Sequence, residues 1–481
     1  MRGIGFFLAV FAAHGTTLDA FAFDDPFSVR SLAAPSVAGS VHEANARVAQ
    51  PPCTFDDVAQ ATLALADVID RALCNNPQTS VAWANARAQA AQAGVARSAY
   101  WPTLNANLSA SRNRQDGGTR VGGVPISSAT LYNQESASLT AGYLLYDFGA
   151  REAALESALQ TLAAMNYTQD AVLQNVFLSS VQAYYQLFAA RAAVDSMREA
   201  ERSVQESLKA ASARYDAGAA TPADKYQAQT AYSQAMLNRI QAEGNAKSAE
   251  GVLSNTIGLD ANRSLKLLPP ATGVPDQTFE RNLEELIAVA RKQRPDLAAA
   301  EAQVKAAQAN VSAAQAAGMP TISLSANAGY SDTSLSSPFY SQSIGVSVNI
   351  PIFTGFNTTY RVRTAQAQAE SKKAQRDSIN LQVALDVWQS YYALSTNTQA
   401  VRTSADLVTS AAQSERVALG RYKAGAGSII DLLTAQTSLA SARLQNIQAI
   451  YNWYIARAAL AQAMGRTDLA AVESPQDRKN R

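Results

Sequence analysis

Catalysis and metal binding need side chains that can act in concert, and this chain of 481 residues has few such sets. Its histidines are His14 and His42 and its cysteines Cys53 and Cys74. Residues 1–22 read as a secretory signal, with Arg2 as the charged start, Gly3 to Ala13 as the apolar run and Ala20-Phe21-Ala22 as the cleavage site, which would leave His42 alone in the exported chain. That disposes of most metal and nucleophile chemistry. Cys53 follows Pro51-Pro52, unlike a lipid-attachment cysteine. In an exported chain Cys53 and Cys74 are expected to form a disulfide, two free thiols being the alternative. The Gly-Gly pairs at 117 and 122 lack the Gly-Lys-Ser/Thr of a phosphate loop. No two acids stand out in an apolar setting as hydrolysis requires. The expectation is no enzyme, no cofactor and no metal.

One polar spacing does recur. Thr221-Pro222-Ala223-Asp224 and Ser428-Ile429-Ile430-Asp431 are Ser/Thr-x-x-Asp starts, in which hydroxyl and carboxylate satisfy the first amides of a helix and complement its dipole. Each follows a glycine, Gly218 or Gly425, that permits a tight turn. Each glycine in turn follows an Arg-Tyr pair, Arg214-Tyr215 or Arg421-Tyr422.

The elements that must hold these turns come in two copies. Residues 295–322 echo 77–104 at an offset of 218, with Pro77 on Pro295 and Trp101-Pro102-Thr103-Leu104 on Met319-Pro320-Thr321-Ile322. From about 144 the offset is 207: Tyr184-Tyr185 falls on Tyr391-Tyr392, Ala228-Gln229-Thr230 on Ala435-Gln436-Thr437, and Gly258 on Gly465. The change of offset places an extra 11 residues in the first copy, where the Gly-rich run 116–123 reads as a hairpin loop. Around it the period is two. Leu104, Ala106 and Leu108 alternate with Asn105, Asn107 and Ser109; Ile344, Val346, Val348 and Ile350 alternate with Gly345, Ser347 and Asn349. Such strands, about ten residues long and ending near Tyr100, Trp101, Tyr143, Tyr146, Phe148, Tyr330, Phe353 and Phe356, fit tilted transmembrane strands with apolar side chains toward lipid. Hairpins are expected at 103–147 and 321–353. No apolar run approaches a helical membrane span, so a membrane crossing would need a closed β-barrel. Four strands are too few for a wet lumen, so several chains must share one.

The rest reads as helix. Residues 149–216 lack proline, a rod on the order of 100 Å long, and Leu173, Phe177, Val181, Tyr184 and Phe188 form a coiled-coil stripe. A second rod is expected at 355–423. Helices are expected at 222–258 and 429–465, with one helical arm before each hairpin. The arm at 282–318 would lie along the first rod, and the arm from Ala61 to Tyr100 along the second. The first repeat would span 61–258 and the second 282–465. A linker at 259–281 would sit halfway along the rods, and 23–60 and the tail 466–481 would lie outside the repeats, 23–60 as an extended or disordered segment. The formal charge of +1 without a basic block argues against nucleic-acid binding.

Over about residues 60–465 this plan resembles the TolC-like outer-membrane efflux and secretion channels. The duplicated hairpin and rod, and the two Arg-Tyr-x-x-Gly motifs each followed six residues later by Asp, carry the resemblance. The segment Ala72-Leu73-Cys74-Asn75-Asn76-Pro77-Gln78-Thr79 with Trp83 is similar to the CyaE-type secretion branch. The resemblance implies a mixed α and β membrane protein: a homotrimer with a 12-stranded outer-membrane barrel, four strands per protomer, over a large periplasmic barrel of antiparallel coiled-coil helices. It implies a periplasmic adaptor and an inner-membrane ABC or RND pump as partners. It also implies a constriction at the tip formed by Asp224, Asp431, Arg214, Tyr215, Arg421 and Tyr422, with the turns at Gly218, Thr221, Gly425 and Ser428 meeting the adaptor. Thr434 stands where a second aspartate can follow Asp431, which argues against a strong cation preference. The alternative from another class, an adhesin or structural coiled-coil stalk, has no need of duplicated strands.

Overall fold

The computed structural model describes residues 25–33, 53, 62–122, 124–263, 265–270 and 282–467. The signal at 1–22, nearly all of 34–61, the linker stretch 271–281 and the tail beyond 467 lie outside the described residues.

The repeat reads directly in the helices. The first copy contains α1 (Leu65–Asn75), α2 (Pro77–Ser98), α3 (Ala150–Asp216) and α4 (Pro222–Thr256); the second contains α5 (Leu283–Gln293), α6 (Pro295–Ala316), α7 (Asn357–Lys423) and α8 (Ile429–Ala463). Each helix begins and ends at the offset of its sequence repeat. The rods α3 and α7 are 67 residues each, about 100 Å at 1.5 Å per residue.

The arm before each hairpin is two helices rather than the single one expected. Pro77 and Pro295 each sit at the first helical position, and the preceding Asn76 and Arg294 are extended, with ψ of 127° and 122°. Proline tolerates that position and excludes a helical residue before it, so the arm breaks there. Arg294 then seals the second break, donating to Asp296 at 2.6 Å and to Asp386 of α7 at 2.7 Å. The arm at 282–318 does lie along the first rod, through α6 on α3. The other expected pairing is not made within the protomer. Arm α2 packs on α3, the rod that follows its own hairpin, as α6 packs on α7.

Strands β1 (Thr62–Leu63) and β4 (Lys266–Leu267) form a short parallel pair. It crosses α3 near its middle, where Tyr184 Oη donates to the Leu268 carbonyl at 2.6 Å. Leu63, Val68, Phe177, Val181, Tyr184, Leu253, Ile257, Leu265 and Tyr454 make the main core there, each large side chain contributing about 1.5–3 kcal/mol by leaving water. Away from that core, small buried residues such as Ala164 and Ala211 on α3, Ala365 and Ala369 on α7 and Ala228 on α4 let helices approach closely.

Strands β2 (Thr103–Val121), β3 (Val124–Tyr146), β5 (Thr321–Thr333) and β6 (Ser336–Asn349) form one antiparallel sheet in that order. The run 116–123 expected as a loop is strand up to Val121, and the turn begins at Gly122. Asp116 pairs with Ala129 and Gly117 with Ser128, and the ladder continues to Val121 and Val124. Pairing satisfies the backbone groups that a loop would leave to solvent, so the insertion lengthens the hairpin.

Residues 25–33 depart from the extended segment expected. Asp25 accepts from the amides of Val29 and Arg30 at 2.9 Å and opens a single 3-10 turn. Phe27 lies 6.2 Å from Trp101, and Val29 packs against Gly94 of α2. These apolar contacts, with Arg97 of α2 donating to the Phe27 carbonyl and Asn166 of α3 to that of Leu32, hold this piece to the body.

Each sheet strand feeds its rod through left-handed residues, Phe148 and Gly149 in the first copy, Gly355 and Phe356 in the second. The first junction is locked by Arg151. Its half-buried guanidinium pairs with the buried Asp147 at 3.0 Å, donates to the Leu144 carbonyl at 2.7 Å and lies over Tyr100. The second junction has Thr354 and Thr358 at the matching positions, their hydroxyls 3.3 Å apart.

Candidate functional site

The two tip turns are built alike. At the end of α3 the Gly218 amide donates to Tyr215 and the Ala219 amide to Arg214; at the end of α7 Gly425 donates to Tyr422 and Ala426 to Arg421. These bonds close only with the glycine in the left-handed region, and Gly218 and Gly425 have φ of 74° and 77°. Both helix starts carry the expected capping box. Thr221 Oγ1 accepts from the Asp224 amide at 3.3 Å while Asp224 Oδ2 accepts from the Thr221 amide at 3.0 Å. Ser428 and Asp431 exchange the same bonds at 3.1 and 3.4 Å. The Asp431 carboxylate remains exposed, and Asp224 is half-buried.

The two Arg-Tyr pairs differ in partners. Arg214 crosses between the turns: its Nη1 donates to the Tyr422 carbonyl at 3.0 Å and its guanidinium lies 5.0 Å over the Tyr422 ring. Tyr422 is buried with Ala211, Ala228, Ile429 and Leu432. Tyr215 is 38% exposed and has Lys225 Nζ 5.0 Å over its ring. Arg421 reaches back only to the Ala426 carbonyl of its own turn, at 3.5 Å. The structure thus brings Arg214 and Tyr422 together and leaves Tyr215 and Arg421 apart.

Two residues here were missed from the sequence. Lys225 follows the capping aspartate and couples Tyr215 to Asp216. At Gly427 a Cβ would lie 3.1 Å from Arg421 Cβ and 3.2 Å from the Tyr422 amide, so glycine lets the second turn fold back over the Arg-Tyr pair. Neither matches its position in the other copy, Leu432 and Ala220, and a search for repeats passes over them. Far from the tip, Cys53 and Cys74 are disulfide-bonded, with Cα atoms 5.6 Å apart.

At the opposite end the sheet presents its apolar residues outward. Leu104, Leu108, Ile344, Val346, Val348 and Ile350 are exposed, Ile344 at 77%, and so are Trp101, Phe353 and Phe356 near the strand ends. Strands β2 and β6 have no partner on their outer sides. No helix among the described residues is long and apolar enough to cross a membrane.

The contacts that join the two copies are one-sided. Within the protomer α3 packs on α6 and α8, and β3 pairs with β5. Advancing every element to its repeat equivalent gives α7 on α2, α7 on α4, and β6 beside β2. No comparable packing is made in the protomer. A molecule that makes one contact of a rotational set and exposes both halves of the next has heterologous faces that can close a ring.

Comparison with known proteins agrees with this geometry. The profile of the outer membrane efflux protein family matches residues 68–259 and 286–466. Protein CyaE of Bordetella pertussis is 31% identical over 389 residues, covering 80% of each chain. Outer membrane efflux protein BepC of Brucella suis is 26% identical, over 84% of this chain and 85% of its own. The crystal structure of the Campylobacter jejuni CmeC outer membrane channel superposes with a TM-score of 0.73 at 19% identity, over 86% of this chain and 88% of that one.

Proposed function

This chain belongs to the outer membrane efflux protein family, and from that premise we propose that it works as a homotrimer whose protomers share one 12-stranded barrel. It is an outer-membrane exit channel of efflux or type I secretion, with a large periplasmic tunnel. The single observation that carries the trimer is the set of unmatched repeat contacts. Three copies of a four-stranded sheet with free β2 and β6 edges give 12 strands, and closure pairs backbone groups that would cost several kcal/mol each in lipid. The outward apolar residues then face the acyl chains.

The chain is a passive conduit, with no enzymatic role. A periplasmic adaptor meets the tip turns at Gly218, Thr221, Gly425 and Ser428, and an inner-membrane ABC or RND pump supplies the energy. The tip is the constriction. Arg214 clasps Tyr422 within each protomer, and the repeat operation places Arg421 against Tyr215 of the neighbouring protomer, giving a closed ring of six clasps. Asp224 and Asp431 complete the capping boxes of their helices and also face the lumen.

The test is purified protein in a planar bilayer together with its native mass in detergent. Discrete channel openings from a three-chain species are expected. A stable folded monomer, or a trimer without conductance, would overturn the reading in favour of a stalk.

A further inference from the structure

A buried polar clamp holds the two copies together partway along the rods. Gln436 of α8 reaches α3, where its Nε2 donates to Ser203 Oγ at 2.8 Å and to Ser207 Oγ at 3.0 Å. Ser207 and Gln436 are only 4% and 6% exposed among alanine-rich neighbours. A buried amide must find partners to offset its desolvation, so this trio fixes the axial register of α8 on α3.

Shifting the trio by the 207-residue repeat gives Gln229 on α4 and Ser410 and Ser414 on α7, the same three residue types. The glutamine keeps its neighbours, Ala228-Gln229-Thr230 on Ala435-Gln436-Thr437, while other positions nearby have diverged. Val204 corresponds to Ala411, Leu432 to Lys225, and the Glu199 and Arg443 ion pair to Asp406 and Met236. In the protomer Gln229, Ser410 and Ser414 are all exposed, and α4 does not pack on α7.

We propose that Gln229 of each protomer inserts between α7 residues Ser410 and Ser414 of the neighbouring copy, forming an interprotomer seam clamp identical in chemistry to the internal one. The occupant is a second copy of this chain. The argument is continuity with the internal interface, since a helix equivalent to α8 meets a helix equivalent to α3 at the same offset. The proposal rests on the trimeric reading and adds its register. Three internal and three external clamps would alternate around the tunnel, so sliding one protomer along its neighbour would strand buried amides.

The experiment places Gln229→Cys and Ser414→Cys in the full chain, whose own cysteines are already bonded, and treats detergent-purified protein with a short bismaleimide. Covalent dimers and trimers are expected on denaturing gels, and none from either single variant. The reference pair Ser207→Cys with Gln436→Cys should crosslink within one chain and give no ladder. Native mass is measured on every variant. A three-chain species in which the reference pair reacts and the external pair gives no ladder overturns the clamp and leaves the trimer standing. A monomeric mass overturns both. If the cysteine variants fail to fold, heat dissociation of the trimer decides. Gln229→Ala should lower its midpoint, and adding Ser410→Ala and Ser414→Ala should lower it little further; additive losses overturn the proposal.

Discussion

Replacing Arg214 by methionine keeps the length and apolar stem of the side chain and removes the charged group that crosses between the tip turns. The charged donor at 3.0 Å from the Tyr422 carbonyl contributes about 1.5–3 kcal/mol. The guanidinium over the ring adds about 0.5–1 kcal/mol at a partly exposed site. Solvent access to Arg214 favours the lower ends, giving about 2 kcal/mol per protomer. If the three clasps of a trimer release together, the closed mouth loses about 6 kcal/mol. At about 1.4 kcal/mol per factor of ten, that multiplies the open population about ten-thousand-fold. Single-channel recording in a planar bilayer should therefore show Arg214→Met trimers in a higher-conductance state that the parent visits rarely. Arg214→Lys keeps the charge without the planar fork and should fall between them. Tyr422→Phe should change little alone, because the clasp uses the tyrosine's carbonyl and ring rather than its hydroxyl. Folded Arg214→Met trimers that conduct as the parent does would refute this account of the mouth.

Asp224→Ala with Asp431→Ala should weaken cation preference and divalent block, measured as reversal potential and blocking concentration, and should cost about 0.3–1 kcal/mol per helix in thermal unfolding for the lost first-turn carboxylate; unchanged selectivity would leave both residues a capping role alone. Removing the disulfide with Cys53→Ser and Cys74→Ser should cost about 3 kcal/mol, the closure entropy for a separation of 21 residues, read as a lower midpoint in denaturant. The third concerns pH. Hydrogen bonds first from Arg198 and then from Arg239 hold the Glu243 carboxyl below its ordinary range. A depressed carboxyl stabilises the fold above its unfolded pKa, and that contribution is lost as pH falls through the folded value. Melting followed by circular dichroism should fall less steeply on acidification in Glu243→Gln than in the parent; equal slopes would show that this network carries no acid sensitivity.

Helix lengths and hairpin positions were legible in the sequence because each copy constrains the other. A constant offset means that no residue is inserted between Gly149 and Gly258 relative to its partner stretch, which turns one helix assignment into two. The breaks at Pro77 and Pro295 were not legible, since proline at a first helical position leaves the flanking apolar pattern intact. The run 116–123 misled because glycine suits a loop, whereas here it sits in a ladder opposite Ser127 and Ser128. At the tip, capping boxes could be read because their partners are three residues apart. The Arg214 clasp could not, because it joins residues 208 apart and depends on how two turns dock. Identical motifs take different partners there, since the first copy finds its neighbour within the chain and the second does not.

The two strand-to-rod junctions give the molecule unequal hinges. A rod about 100 Å long is a lever, and one degree of tilt at its root carries the far end through about 2 Å. At the root of α3 such a tilt must break a part-buried ion pair and the carbonyl contacts of Arg151. At the root of α7 it works, among the described residues, against no ion pair, but against the threonine hydroxyl pair, the Thr358 amide on Thr354 Oγ1 at 3.4 Å and the edge-on contact of Phe353 with Phe356. Of the two roots, that of α7 is thus the less firmly held. In a closed ring of three chains, compliant and stiff arms would alternate, and dilation would proceed as a threefold iris rather than a sixfold one.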